Sequence, residues 1–560
     1  MFNKLFSKNL FVNLFLVSII LALQIPLIQP FFHTGFFTSH DDVQVVRVFE
    51  YFQSLDYNQI PPRWSAGLLY GHGYPLYIFY APFIYILGSI FVYLGFNFLI
   101  ATKIVFILTF IIGALGIFFL VREFFGKIPA FVSSIVFSLA PYRAVDVYVR
   151  GNLTEFFSLS FFPWVFLSNY KIYHSERKFL WMIIFILTLS VLIISHNISF
   201  FIFALFLSVY NLFELLKFKK PNYILFKYLI LSGIVSLGLT CFYWLPLIYE
   251  TQFVKIDEFA DFPYNEYYLS FSQIWQSSWG YGGFLDPSPM SLQLGKVLIM
   301  FSVLTFIVNF FINTKFKSFI NFIFAVFVFS LLLETKTTSL IWDNLTILHF
   351  MQFPWRLHIL ATLSSSILTG AFLYLLLQQK INRLIKSILL FLIIVIIGFF
   401  SYQESFNFFK PREYYNTPPV SETTTWHDEY MPKWVKIKPA EYAADKIKFI
   451  KGSGSLSNIE WGYSTKQATI NSSQEDSVIE IAHVYYPGWN AYINGKVAQI
   501  NYNQESGLMQ INIPKGENTI LFEFKNTWWR NIADLTSIAT LLIFILLILF
   551  RKSSGYYSKL

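Results

Sequence analysis

The sequence predicts a polytopic α-helical membrane protein of about 12–13 transmembrane helices with a C-terminal extracytoplasmic β-sandwich. Three observations carry this. Of the 560 residues, 55% are hydrophobic and only 13% are charged, against about 25% charged in a soluble globular chain. Thirteen apolar runs approach the roughly 20 residues that cross a bilayer. Residues 403–530 break that pattern with short alternating stretches of β-branched and aromatic residues. The mean hydropathy of +0.53 leaves too few charges to solvate several watery domains, which excludes a cytosolic enzyme and a disordered chain. The net charge of +9 lies mostly in short loops between apolar runs, so it describes membrane topology rather than a nucleic-acid partner. Cys241 is the only cysteine, so there is no disulfide framework and no cysteine metal site.

The runs are 10–30, 76–96, 99–121, 128–141, 153–170, 179–195, 197–213, 223–249, 292–312, 317–333, 355–377, 385–402 and 531–550. The first follows Lys4 and Lys8 without a small-residue cleavage site and reads as a retained helix. The loops Lys171–Lys178, Lys217–Lys220, Lys315–Lys317 and Lys380–Lys386 and the tail Arg551–Lys559 are basic and should face the cytoplasm. The N- and C-termini are then cytoplasmic, and 31–75, 250–291, 334–354 and 403–530 face outward from the plasma membrane. Thirteen crossings cannot join two cytoplasmic ends, and 128–141 is the shortest run, so it is the candidate for an incomplete crossing. The division expected is a membrane domain over 1–402, a β-domain over 403–530, and a final helix with its basic tail over 531–560.

Within the β-domain, Val478–Val484, Ala491–Ile493 and Thr519–Phe524 read as strands. Asn494-Gly495 between Ala491–Ile493 and Val497–Ile500 is a type I′ hairpin signal. Pro514-Lys515-Gly516 marks another turn, and the Pro-rich stretch 411–439 reads as a linker or first edge.

The first outer loop holds the first chemistry candidates. Ser39-His40-Asp41-Asp42 precedes a predicted amphipathic helix with Val45, Val48, Phe49 and Phe52 on one face and Arg47 and Glu50 elsewhere. Two carboxylates and a histidine there suit a divalent cation or a proton taken from a hydroxyl. Ser39-x-x-Asp42 also has the form of a helix capping box, and both roles stay open. Pro61-Pro62-Arg63-Trp64 offers an arginine for a phosphate or an interfacial anchor. The cluster from Pro141 to Glu155 contains Arg143, Asp146, Arg150 and Glu155, which either pair internally or line a cavity. Ser195-His196-Asn197 and Phe353-Pro354-Trp355-Arg356-Leu357-His358 open helices from the same outer side, with Arg356 placed to bind phosphate.

These pieces resemble a known family. His40-Asp41, Pro62-Arg63-Trp64, Gly73-Tyr74-Pro75, Arg150-Gly151-x-x-x-Glu155, His196-Asn197 and Phe353-Pro354-Trp355-Arg356 look like the GT-C fold of integral membrane glycosyltransferases. The closer likeness is to YfhO-like proteins and to the membrane family labelled "6-pyruvoyl-tetrahydropterin synthase-related". Tyr485-Tyr486-Pro487-Gly488-Trp489, with Ala491-Tyr492 and Gly495-Lys496, is similar to the outer β-domain of YfhO-like proteins. The resemblance implies a transferase that moves a sugar from a polyprenyl-phosphate carrier to an extracytoplasmic acceptor: a cell-envelope glycan, teichoic acid, a lipid or a protein. It implies an inverting displacement with Asp41 as base or as ligand of a divalent cation (Mg or Mn), together with His40 or Asp42. Asp42 is the second catalytic carboxylate, and Arg63, Arg150, Glu155, His196 and Arg356 form the lipid-phosphate site. The nine histidines include no His-x-His pair, so pterin synthesis is rejected. The alternatives are a transporter or flippase of lipid-linked sugars, and a non-catalytic envelope-assembly protein.

Overall fold

The computed structural model describes residues 8–218, 222–259, 262–282, 289–416, 422–425 and 427–557. Lys4, Lys219, Lys220, residues 558–560 of the basic tail, and parts of the outer segments 250–291 and 411–439 lie outside the described residues.

The protein is a helical membrane protein with a C-terminal β-rich region. All thirteen apolar runs are helical, because in hydrocarbon a segment must satisfy its own backbone N–H and C=O groups. Among the described residues six helices are long and apolar enough to cross a membrane, or up to eight if each of two bent pairs is one crossing. Four further apolar helices are shorter, among them Phe83–Tyr93. That helix is what remains of the run 76–96, which is interrupted after Leu76–Phe79 where Pro82 cannot donate to a continuing helix. The run 128–141 is resolved as Lys127–Ser138 bent by 41° into Pro141–Tyr148, with Pro141 starting the second helix. The run 223–249 likewise bends by 71° between Tyr223–Leu239 and Cys241–Phe253.

The chain divides into two compact units whose boundaries differ from the linear division expected. The first comprises 1–44, 99–232 and 262–418; the second comprises 45–98, 233–261 and 419–560. The centre of the first unit is the helix His358–Leu377, which packs on Lys127–Ser138, Lys296–Phe311 and Lys317–Leu333. Its serines turn their hydroxyls back onto their own helix, Ser365 to Ala361 O at 2.6 Å and Ser366 to Thr362 O at 2.7 Å. Small residues there let helices approach closely: a Cβ on Gly370 would stand 2.2 Å from Ser133 Oγ. Aromatic stacking fills the rest, with Phe162 on Phe203 at 3.6 Å and Phe124 on Phe319 at 4.3 Å between ring centroids. The first unit also holds a two-stranded ribbon, β1 (Phe36–Phe37) antiparallel to β2 (Tyr414–Tyr415).

In the second unit the strands are β3 (Ile447–Lys451), β4 (Gly454–Trp461), β5 (Thr465–Ser472), β6 (Ser477–Val484), β7 (Trp489–Ile493), β8 (Lys496–Ala498), β9 (Asn501–Tyr502), β10 (Leu508–Ile513) and β11 (Gly516–Phe524). They form two sheets ordered β3-β6-β10-β9 and β4-β5-β11-β7-β8. Ile470, Ile479, Ile481, Ile511, Ile520 and Phe522 are buried in their shared core. Asn494 and Gly495 both take positive φ, 51° and 77°, and Ile493 pairs with Lys496 across them, as the hairpin signal predicts. The Pro514–Gly516 turn instead passes from one sheet to the other. The final helix Trp528–Tyr557 is pinned by Arg530, whose Nε and Nη2 donate to Glu250 at 2.7 and 2.8 Å with both side chains fully buried.

Two expectations for 45–75 are corrected. Arg47 and Glu50 are as buried as Val45 and Val48, while Phe49 is exposed. The predicted polar face is buried because it meets polar partners: Glu50 accepts from Gly67 N–H at 3.1 Å and from the Tyr463 hydroxyl, and Arg47 donates to Thr424. Trp64 is no interfacial anchor. It is fully buried among Tyr486, Trp489 and Phe524, and its indole N–H donates to His483 Nε2 at 2.9 Å.

Candidate active site

The acidic motif sits in the turn 40–43, one residue before the helix Gln44–Asp56. The helix therefore starts too late for a Ser39–Asp42 capping box, and Ser39 Oγ is buried without a hydrogen-bond partner. The turn is held by backbone contacts instead. Thr38 N–H donates to Glu413 O at 3.0 Å, His40 N–H to Val149 O at 2.9 Å and Asp41 N–H to Arg150 O at 2.7 Å. The Gln44 side chain donates to Gly151 O at 3.1 Å, and the Tyr415 hydroxyl donates to Asp42 O at 3.0 Å. Gly151 has φ +65°, and a Cβ there would meet Ser39 Oγ at 2.1 Å. Glycine is required at this close approach.

The strand of contacts at 149–151 leads directly to the charged cluster. Arg150 Nη1 donates to Glu155 Oε1 at 2.6 Å and to Asp146 Oδ1 at 2.8 Å, while Nη2 donates to Glu155 Oε2 at 2.9 Å. Trp355 lies under its guanidinium at 4.8 Å. Glu155 also accepts from the Tyr142 hydroxyl at 2.5 Å and faces Arg356 Nε at 3.5 Å. Asn152 caps the helix Leu153–His174 by accepting from Glu155 N–H at 3.1 Å, which fixes the position of Glu155 in the first turn. Arg356 Nη1 is spent on Met351 O and Gln352 Oε1, both at 2.9 Å. No hydrogen bond of its Nη2 is found among the described residues.

Asp41 lies within electrostatic reach of His40, Asp42, Asp146 and Arg356. His196 caps the helix Asn197–Leu215, accepting from Ser199 N–H at 3.2 Å, and lies within reach of Glu155, Arg356 and Arg150. The first unit thus brings together Asp41, Asp42, Arg150, Glu155, His196 and Arg356. Burial, with the neighbouring Asp41 charge second, lifts the Asp42 carboxyl to about 6. Burial pushes the His40 imidazole down, against the Tyr281 carbonyl that its Nε2 meets at 2.7 Å. Desolvation also holds His196 low, so it is neutral at physiological pH.

Arg63 is elsewhere. It belongs to the second unit, where its guanidinium meets Asp534 at 2.5 Å, Asn526 at 3.1 Å and Phe242 O at 3.2 Å. Each of its three nitrogens already donates once and its charge is paired with Asp534, so Arg63 serves as an internal tie of the second unit, which corrects the expectation from Pro62-Arg63-Trp64. Arg143 is also reassigned. Arg150 takes both carboxylates, and Arg143 is enclosed by Phe137, Phe156 and Phe110 at 4.5, 4.9 and 5.5 Å. The sequence reading missed a fully buried pair, His358 Nδ1 with Glu334 Oε2 at 2.5 Å. Its signal was a lone acid ending an apolar run. The internal pairing expected as one alternative for the 143–155 cluster is found, with Glu155 bidentate on Arg150.

Among the described residues no three His, Cys, Asp or Glu side chains gather as a metal-holding group. Asp41 and Asp42 are adjacent carboxylates whose repulsion contributes to the raised Asp42 pKa, which a bound cation would relieve. Mg²⁺ is commonly held by one or two carboxylates, with substrate phosphate and water completing its shell.

A bundle of membrane helices with an acidic turn seated on an arginine–carboxylate cluster, joined to a β-sandwich unit, defines a polytopic membrane protein with a candidate active site. A family model described as "6-pyruvoyl-tetrahydropterin synthase related domain; membrane protein" matches residues 77–407, and the chain belongs to that family. No curated protein matches in sequence. Among solved structures, the oligosaccharyltransferase of Archaeoglobus fulgidus in its apo form is similar, with 12% identity and a TM-score of 0.49 over 72% of this chain and 56% of that one. The archaeal oligosaccharyltransferase AglB from the same organism, in complex with an inhibitory peptide and a dolichol-phosphate, gives 13% identity and a TM-score of 0.44 over 72% and 56%. A complex of the A. fulgidus enzyme with Zn and sulfate gives 14% and 0.44 over 72% and 54%. Each match spans little more than half of the archaeal chain.

Proposed function

We propose that this protein is a GT-C type glycosyltransferase of the plasma membrane that moves a sugar from a polyprenyl-phosphate carrier to an extracytoplasmic acceptor, a glycan, lipid or protein. The observation that carries this reading is the seating of His40 and Asp41 against the backbone of Val149 and Arg150, with Arg356 in electrostatic reach of Asp41. In an inverting displacement the Asp41 carboxylate takes the proton of the acceptor nucleophile as that atom bonds to the anomeric carbon. The bond from the anomeric carbon to the phosphate oxygen breaks on the opposite side, and its electron pair leaves with the lipid phosphate. Arg356, with Nη2 open, receives that charge, and Arg150 sets the local potential while holding Glu155. Neutral His196 is a hydrogen-bonding group for the phosphate or sugar. Asp41 and Asp42 would hold a divalent cation such as Mg or Mn, which when bound supplies further neutralisation of the leaving phosphate. A carrier that stays in the bilayer explains why the site is built on membrane helices. In this reading the basic loops and both termini are cytoplasmic, and the β-sandwich lies outside.

The test is incubation of the purified protein with a panel of polyprenyl-phosphate sugars and an acceptor mixture. Release of free polyprenyl phosphate from one of them is expected, and transbilayer movement of an intact donor without release would replace this reading with a transporter. The rate should fall as pH drops through about 6, because Asp42 then takes up a proton, and Asp42→Asn should remove that limb. The same shift has a stability sign. A carboxyl raised above its unfolded value stabilises the fold at low pH, and that contribution is lost as pH rises through about 6. Asp42→Asn should therefore raise the thermal midpoint above pH 6 while lowering turnover.

A further inference from the structure

A second site lies in the first unit, apart from the acidic turn. A cavity of about 650 Å³ opens among the ends of the helices Phe98–Phe125, Leu153–His174 and Asn197–Leu215 and the start of Lys317–Leu333. These ends carry the basic loops. Its polar floor is Glu214, 3% exposed, which accepts from Lys217 Nζ at 2.6 Å and faces His174 Nε2 at 3.4 Å. Lys315 also lines the cavity, with its ammonium 4.8 Å from the Phe316 ring. The walls are aromatic: Tyr170 stacks on His174 at 4.2 Å and Phe124 on Phe319 at 4.3 Å. Leu216 on the rim is 74% exposed.

Two lysines line a cavity with one buried carboxylate, so their ammonium groups outnumber it by one. We propose that this cavity binds the headgroup of an anionic phospholipid, its phosphodiester between Lys217 and Lys315 and its acyl chains along the exposed apolar rim. One phosphodiester neutralises the excess charge. An aromatic wall beside a lipid-facing helix end suits a ligand whose other half is hydrocarbon, and basic pockets between membrane helices recognise such headgroups. A soluble phosphate offers nothing to the apolar half of the cavity.

The test uses the full-length protein in nanodiscs of phosphatidylcholine doped with phosphatidylglycerol, followed by native mass spectrometry of the lipids that stay bound. The wild type should retain phosphatidylglycerol preferentially. Lys217→Gln with Lys315→Gln should lower the retained phosphatidylglycerol-to-phosphatidylcholine ratio roughly tenfold, at the scale of lysine–anionic lipid attraction. A control pair in another basic loop, Lys380→Gln with Arg383→Gln, should leave the ratio within about twofold on the same scale. Equal retention of both lipids by the wild type, or an equal loss in the control pair, would overturn the proposal in favour of a diffuse basic surface. Displacement of phosphatidylglycerol by millimolar inorganic phosphate would overturn it in favour of a soluble anion. These outcomes do not depend on sugar transfer.

Discussion

Asp41→Asn is expected to cut turnover by roughly 10²–10⁴-fold, the usual contribution of a positioned general base, while the protein remains folded and still binds its lipid-linked donor. The separation is expected because the turn is held by main-chain groups. Asp41 N–H donates to Arg150 O, and the neighbouring clamps come from His40 N–H, Gln44 and Tyr415. Asparagine keeps that backbone and nearly the same volume, and it loses only the charge and the proton acceptor. The measurement is release of polyprenyl phosphate alongside equilibrium donor binding. Unchanged turnover would remove Asp41 from the mechanism, whereas loss of donor binding with intact fold would make it a binding group.

Glu155→Ala should be the most destabilising single change in the first unit. Glu155 is fully buried and joins Arg150, Tyr142 and Arg356. Among the described residues its removal takes away the ion-pair partner of Arg356 and leaves Arg150 paired with Asp146. Breaking a buried ion pair by deleting one member costs about 3–5 kcal/mol, a large share of the roughly 5–15 kcal/mol that holds a typical domain. Unfolding in detergent by denaturant or heat reads this directly. The double variant Arg150→Ala with Glu155→Ala should lose less than the sum of the single losses, since each single change strands the other's charge. A Glu155→Ala protein as stable as wild type would show that the cluster holds nothing together.

The apolar runs were legible because the bilayer imposes one rule on every residue of a span, and the Asn494-Gly495 hairpin because only a few residues accept two successive positive φ values. The bends at Pro141 and Thr240 were only partly legible: a short run suggested the first, and nothing in the apolar pattern marked the second. Pairings were far less readable. Arg63 meets a partner 471 positions away in Asp534, and Glu50 meets Tyr463 at a separation of 413, so local pattern could not place either. The amphipathic reading of 44–56 failed for the same reason, as it assumed that polar side chains seek water. In the candidate site the charged residues between 142 and 155 were visible as a group. Which arginine takes which acid depends on three phenylalanines, all of them outside that stretch, that enclose Arg143.

The ribbon pairing Phe36 with Tyr415 also sets a timetable. The acidic turn emerges from the ribosome among the first segments, but the strand beside it and the hydroxyl that steadies Asp42 belong to residue 415. At about 5–20 residues per second, translation leaves the turn without that support for tens of seconds while the intervening helices insert. A half-made chain already resident in the membrane therefore lacks a finished acidic turn until the segment around residue 415 has been made.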